Sequence, residues 1–205
     1  MKILVFASDT AWNELISGTT GIEWIRAEWI SSFTNRDDID AYFNLVESNN
    51  ETDYTVFKKP VFINSVSSTL QKTGAAENVA RINGWNGFLK RSSWEIAGKI
   101  NDLSREVLKT INKKIIVVPD EPGFISARII AMIINEAYFA KDENVSTKKE
   151  IDTAMKLGTN YPFGPFEWAQ IIGIRNIYAL LKTLNETDPR YKPSPLLEKE
   201  AMKIK

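Results

Sequence analysis

The chain has 205 residues, 43% of them hydrophobic and 25% charged, which is ample apolar material for one large domain or two small ones with packed cores. Lys plus Arg equals Asp plus Glu at 26 each, so no excess charge draws the chain to nucleic acid or to an anionic membrane. Neither cysteine nor histidine is present, which excludes disulfides, thiolate nucleophiles, Cys/His metal sites and any imidazole base; proton transfer near neutral pH is left to carboxylates, a shifted Lys or Tyr, a cofactor or a partner chain.

Five apolar residues, 3–7, follow Met1 and Lys2, too few for a secretory core, and a cytoplasmic chain is expected. Residues 2–7 read as a first buried strand with a polar turn after it, while 21–33 fit neither the helical nor the strand period because their apolar positions come in pairs. Residues 37–45 read as helix running into strand, 60–63 as a second buried strand, and 75–79 as a short helix. Arg81 to Phe88 reads as a loop bounded by Gly84 and Gly87, 94–97 as a strand, 104–111 as a helix and 113–118 as a β-branched strand.

Pro119-Asp120-Glu121-Pro122-Gly123 breaks this alternation and predicts a boundary, with an α/β domain over 1–119 and a helical domain over 120–205. Helices are expected over 124–140, 147–157, 165–172, 174–184 and 195–203. The first of these carries Arg128, Asn135 and Glu136 and falls short of a bilayer span. Ser146 stands where an N-cap would, Gly158 where a helix would end, and Pro165 at a first helical position with Glu167 matched to the positive helix end.

Neutrality is a sum of opposites: residues 1–57 hold three basic and ten acidic side chains, and 58–114 hold eleven basic and four acidic. Either the basic segment binds an anionic ligand or the two segments pack together and offset each other.

From Asp120-Glu121-Pro122-Gly123-Phe124, through Asn135-Glu136-Ala137 and Glu150-Ile151-Asp152-Thr153-Ala154, to Tyr161-Pro162-Phe163-Gly164-Pro165 and Asp188-Pro189-Arg190-Tyr191, the chain resembles the 3-hydroxyacyl-CoA dehydrogenase family. The likeness continues upstream in weaker form. Phe62-Ile63-Asn64-Ser65-Val66-Ser67-Ser68 is similar to the family's serine segment, Arg81-Ile82-Asn83-Gly84-Trp85-Asn86 to the segment of the catalytic histidine, and Trp94-Glu95-Ile96 to the strand of its glutamate partner. The resemblance implies a truncated Rossmann-like N-terminal domain with a mostly parallel sheet, a helical C-terminal domain that forms a homodimer, NAD as the family's cofactor and an acyl-CoA-type ligand. Carried over residue by residue, it marks Ser67, Asn86 and Glu95 as the site positions.

The departures from the family pattern bear on function. Asn86, or Trp85 if the register slips by one, stands for the histidine, and neither side chain accepts a proton from an alcohol at neutral pH. Ala127 falls where the family has an asparagine that contacts substrate, and Glu95 has no imidazole to orient. Ala7-Ser8-Asp9-Thr10-Ala11-Trp12 lacks the Gly-x-Gly-x-x-Gly that lets a pyrophosphate approach backbone, so no bound cofactor and no metal are expected. The region before Ser67 is about half the family's, which implies lost βαβ units. Three readings follow: a degenerate family member that binds an acyl-CoA-like ligand without oxidising it, an active NAD-linked dehydrogenase with an unusual base or a partner subunit, and a structural subunit whose cleft is filled by Trp85 and Trp94.

Overall fold

Seven short strands form one sheet in the order β2-β1-β3-β4-β5-β6-β7. They are β1 (Lys2–Phe6), β2 (Glu23–Arg26), β3 (Ala41–Asn44), β4 (Val61–Asn64), β5 (Val79–Ile82), β6 (Ser93–Gly98) and β7 (Lys114–Val117). The computed structural model describes residues 1–47, 52–74 and 76–203, and the chain divides into a unit of residues 1–124 and a second of 125–205. Ala75, the first residue of the expected helix over 75–79, lies outside the described residues.

All neighbouring strands pair parallel except β5 and β6, which run antiparallel with Ile82 opposite Ile96. The order reverses direction at β1: β2 lies on one side of it and β3 on the other, the switch point at which doubly wound sheets open a crevice beyond their carboxyl ends. The strand alternation splits the apolar side chains between two faces. Ile3, Val5, Phe43, Phe62, Ile82, Trp94 and Ile96 pack under α1 (Asp9–Ile16) and α3 (Asp102–Thr110), which contribute Leu15, Val107 and Leu108. Leu4, Tyr42, Val61, Ile63 and Val79 face the other way, against Phe33 and Phe57 from irregular chain and Tyr54 from a short 3-10 turn.

The expected strands at 2–7, 60–63, 94–97 and 113–118 each overlap one that forms, but residues 37–40 are not helical. No apolar stripe in that acidic stretch gives a helix anything to bury. The short helix is α2 (Leu70–Thr73), capped by Thr69 and ended by Gly74 in the left-handed region at φ 63°, rather than one over 75–79. Val79–Ile82 is instead the fully buried strand β5, and the ambiguous 21–33 segment holds β2 and a 3-10 turn at Ile30–Ser32.

The first unit extends to Phe124, five residues beyond the expected boundary. Arg81, fully buried on β5, is the reason: its Nε donates to Asp120 at 2.7 Å and its Nη2 to the Glu121 carbonyl at 2.9 Å. The same guanidinium bonds the carbonyls of Ser65 and Ser68 and lies 4.7 Å from the Phe124 ring centre, while Gly123 N donates to Val66 O at 2.7 Å.

The second unit consists of α4 (Ser126–Asp142), α5 (Lys148–Thr159), α6 (Pro165–Ile172), α7 (Ile174–Asn185) and α8 (Pro195–Lys203). Ala127, Ile134, Phe166, Leu180, Leu181 and Leu197 are among its buried apolar side chains. The α5 N-cap is Thr147 rather than Ser146, in a capping box where Glu150 accepts from Thr147 N at 3.1 Å. Gly158 lies inside α5, which ends at Asn160 in the left-handed region. Buried Asn135 links α4 to the turn before α8, donating to Lys192 O at 2.9 Å and accepting from Ser194 N at 2.8 Å. Among the described residues, no helix is long and apolar enough to cross a membrane.

Candidate functional site

The three site positions named by resemblance reach one edge of the sheet because of its topology. Ser67 follows the carboxyl end of β4 and Asn86 that of β5. Since β6 runs antiparallel to β5, it begins at this same edge, and the register puts Glu95 level with Asn83. Alternation along β6 turns Glu95 away from the face that holds Trp94 and Ile96 and toward the side of Arg81. Ser67, Asn86 and Glu95 are all half-buried.

Three buried asparagines occupy successive strand ends at this edge: Asn44 at the end of β3, Asn64 at the end of β4 and Asn83 just past β5. Asn64 donates to Leu45 O at 3.2 Å and accepts from Gly84 N at 3.0 Å, which ties the three strand ends together. A Cβ at Gly84 would stand 2.7 Å from the Asn64 side chain, so only glycine permits this approach. Asn44 donates to the Tyr54 hydroxyl at 2.9 Å, and its Oδ1 is buried with no hydrogen-bond partner among the described residues.

Glu47, three residues beyond β3, meets Ser67 and is a residue that sequence reasoning did not single out. The Ser67 hydroxyl donates to its Oε1 at 3.0 Å. Burial pushes the Glu47 carboxyl above the usual carboxylate range, and the bond from Ser67 opposes that shift. Its only trace in the sequence is as one of the acidic side chains of the first segment; nothing local marks it, because the pairing depends on β3 and β4 being neighbours. The turn bearing Asn86 is anchored from α1, where Glu14 Oε1 accepts from Gly87 N at 2.7 Å. Trp85 and Trp94 are both buried, Trp94 in the sheet core with its Nε1 donating to Leu89 O at 3.1 Å.

NAD is the cofactor implied by the resemblance, and the residues at the first turn do not fit its pyrophosphate. Ser8 Oγ accepts from Ala11 N at 3.3 Å, satisfying one of the free N–H groups of α1, and Asp9 puts a carboxylate at the helix start. Arg26, ending β2, pairs with Asp9 at 2.6 Å and donates to Ala7 O at 3.1 Å. Dinucleotide folds carry an acid for the ribose near the end of this strand; here β2 ends on Arg26, with Glu28 two residues further on. Among the described residues no cluster of three or more acidic side chains is placed to hold a metal ion.

The second unit has its own concavity, about 500 Å³, lined by Tyr138, Lys148, Phe166, Ile174 and Glu200. Its polar groups satisfy one another: Lys148 pairs with Glu200 at 2.7 Å, the Tyr138 hydroxyl donates to Glu200 at 2.9 Å, and the ammonium sits 5.0 and 5.1 Å from the Tyr138 and Phe166 ring centres. Glu167, expected at a helix start, accepts from Gly164 N at 2.9 Å and pairs with Lys156 at 2.5 Å.

The fold is a Rossmann-like sheet followed by a helical unit, and comparison with known proteins shows what it is similar to. Residues 123–203 match the family model described as 3-hydroxyacyl-CoA dehydrogenase, C-terminal domain. The helical half is thus similar to the C-terminal domain of the 3-hydroxyacyl-CoA dehydrogenases. The chain is 40% identical over 97 residues to the 3-hydroxyadipyl-CoA dehydrogenase of Escherichia coli K12, covering 46% of this chain and 20% of that protein. With the 3-hydroxybutyryl-CoA dehydrogenase of Bradyrhizobium diazoefficiens it shares 39% over 100 residues, 48% of this chain and 34% of the relative. These matches therefore span 20% and 34% of those relatives' length. The solved (S)-3-hydroxybutyryl-CoA dehydrogenase of Ralstonia eutropha superposes with a TM-score of 0.70 over 98% of this chain and 93% of that one at 17% identity, which shows the shared fold.

Proposed function

We propose that this 3-hydroxyacyl-CoA dehydrogenase-like chain binds an acyl-CoA-type ligand at the carboxyl edge of its sheet and does not oxidise it. The observation that carries the reading is the Asp9–Arg26 pair at the first turn, which puts a carboxylate where a dinucleotide's phosphates would need bare backbone. Asn86 at the histidine position supports it, since an amide neither accepts nor releases a proton near neutral pH. The reading includes a cytoplasmic homodimer joined through the helical unit, to be tested by light scattering, where a mass near one chain would contradict it.

The deciding experiment measures NADH consumption with acetoacetyl-CoA at high protein concentration, beside thermal shifts with NAD and with CoA esters. The expected result is a shift with CoA esters, none with NAD and no turnover; turnover would restore the active dehydrogenase. The burial of Trp85 favours a second reading, a structural subunit with a filled cleft, although Trp94 packs in the sheet core instead. Absence of a shift with either ligand would select it.

A further inference from the structure

We infer that the outer edge of β7 takes up an extended acidic peptide of a partner protein as an added strand. The inference is independent of the acyl-CoA reading. β7 ends the sheet order, so among the described residues no strand pairs with its outer side. Lys114 N donates to Ser92 O at 2.8 Å and Val118 N to Ile96 O at 3.0 Å, both toward β6. Alternation along the strand then turns the N–H and C=O groups of Ile115 and Val117 outward, where an incoming backbone can meet them. Ile116 and Val117 are 44% and 60% exposed, a short apolar strip beside those groups.

Charge selects the occupant. The acidic segment forms β2, β1 and β3, and the basic segment forms β4 to β6 and opens β7, so the two fold into opposite halves of the sheet. Exposed Lys90, Arg91 and Lys114 gather where β6 and β7 begin, since Lys114 lies level with Ser93. Lys113 adds its ammonium there, bonded to Leu89 O at 2.8 Å and Arg91 O at 2.9 Å. Glu95 attracts Arg91, which leaves the lysines in excess. Lysines at a sheet edge keep like chains apart, and a second copy presenting its own β7 would bring basic cluster to basic cluster. An acidic strand instead sets carboxylates against Lys90 and Lys114 and apolar side chains against Ile116 and Val117.

The test is fluorescence anisotropy of a labelled peptide, glutamates followed by alternating valine and threonine, titrated with the full chain. Saturable binding that weakens as salt rises is expected, with a lysine-for-glutamate counterpart bound about tenfold less tightly. Lys114→Glu should weaken the acidic peptide about tenfold and strengthen the lysine peptide, a reversal that damage to the fold would not produce. Val117→Pro removes an N–H that β7 does not direct at β6, so the chain should melt close to wild type while losing the peptide. If Val117→Pro does not fold, the reversal in Lys114→Glu decides alone. Equal binding of the two peptides, binding of neither, or binding untouched by Val117→Pro in a folded chain overturns the inference. Association between copies that Val117→Pro abolishes in light scattering would make the occupant a second chain and overturn it too. None of these outcomes bears on the thermal shift with CoA esters.

Discussion

Arg26 at the end of β2 reaches Asp9 at the start of α1 with a 2.6 Å contact and donates from the same nitrogen to Ala7 O. The Asp9 side chain is 87% exposed, so the pair's effect on stability is small however short the contact. Arg26→Ala is expected to cost less than about 1 kcal/mol, a fall in Tm of no more than about 4 °C. Differential scanning calorimetry would show it; a larger loss would mean that the pair holds the fold together rather than only filling the turn.

Arg81 is the opposite case. It is fully buried, ion-paired to Asp120 and bonded to three carbonyls. Arg81→Met strips Asp120 of its countercharge and leaves those carbonyls without a donor. The expected loss is about 3–5 kcal/mol by urea denaturation. A change below about 1 kcal/mol would refute the clamp.

The α5 capping box gives a prediction with a pH sign. Thr147→Ala is expected to cost about 1 kcal/mol. Hydrogen bonds from the Thr147 and Ser146 side chains hold the Glu150 carboxyl at about 2, below the ordinary value of 4.5. The folded chain thus binds this proton less tightly than the unfolded one, so the contribution is present above about pH 4.5 and lost as pH falls toward 2. The Tm difference between wild type and Glu150→Gln should shrink over that window.

Glu47 carries the reverse sign. Its carboxyl is raised by burial from an ordinary 4.5, so the folded state is favoured below that value and disfavoured as pH rises through the folded one. Glu47→Gln should therefore gain Tm relative to wild type as the buffer moves from pH 4 to pH 7. No relative gain would mean that the charge is well solvated.

Two glycines of the helical unit should respond oppositely to alanine. A Cβ at Gly164 would overlap the side chain and backbone of Asp152, at about 1–3 kcal/mol for an added methyl in packed surroundings. At Gly158, inside α5, a Cβ meets nothing, and alanine should stabilise by about 0.5–1 kcal/mol. Paired thermal melts would check both signs.

The helical half was legible because its helices begin and end on residues with local reasons to do so, such as Pro165 at the start of α6 and Glu167 bonded to the Gly164 N–H. The strand β5 was not, since a four-residue run centred on Ala80 and Arg81 has no alternation to betray it, and a buried arginine is intelligible only once Asp120 has folded against it. Ser67 was visible through its segment. Its partner Glu47 lies twenty residues earlier and meets it only because β3 and β4 pair in parallel.

One face of the sheet is covered by α1 and α3, while Phe33, Tyr54 and Phe57 cover the other from irregular chain and a short 3-10 turn at Tyr54–Val56. Their rings hold one another edge to face or tilted, with Tyr42 and Phe57 centres 4.7 Å apart. A roof of rings without a helical hydrogen-bond ladder is peeled back one aromatic at a time, so deuterium should enter the amides of residues 30–33 and 54–57 sooner than those of α1 and α3. The sheet would then breathe asymmetrically, lifting its aromatic awning well before the helices let go.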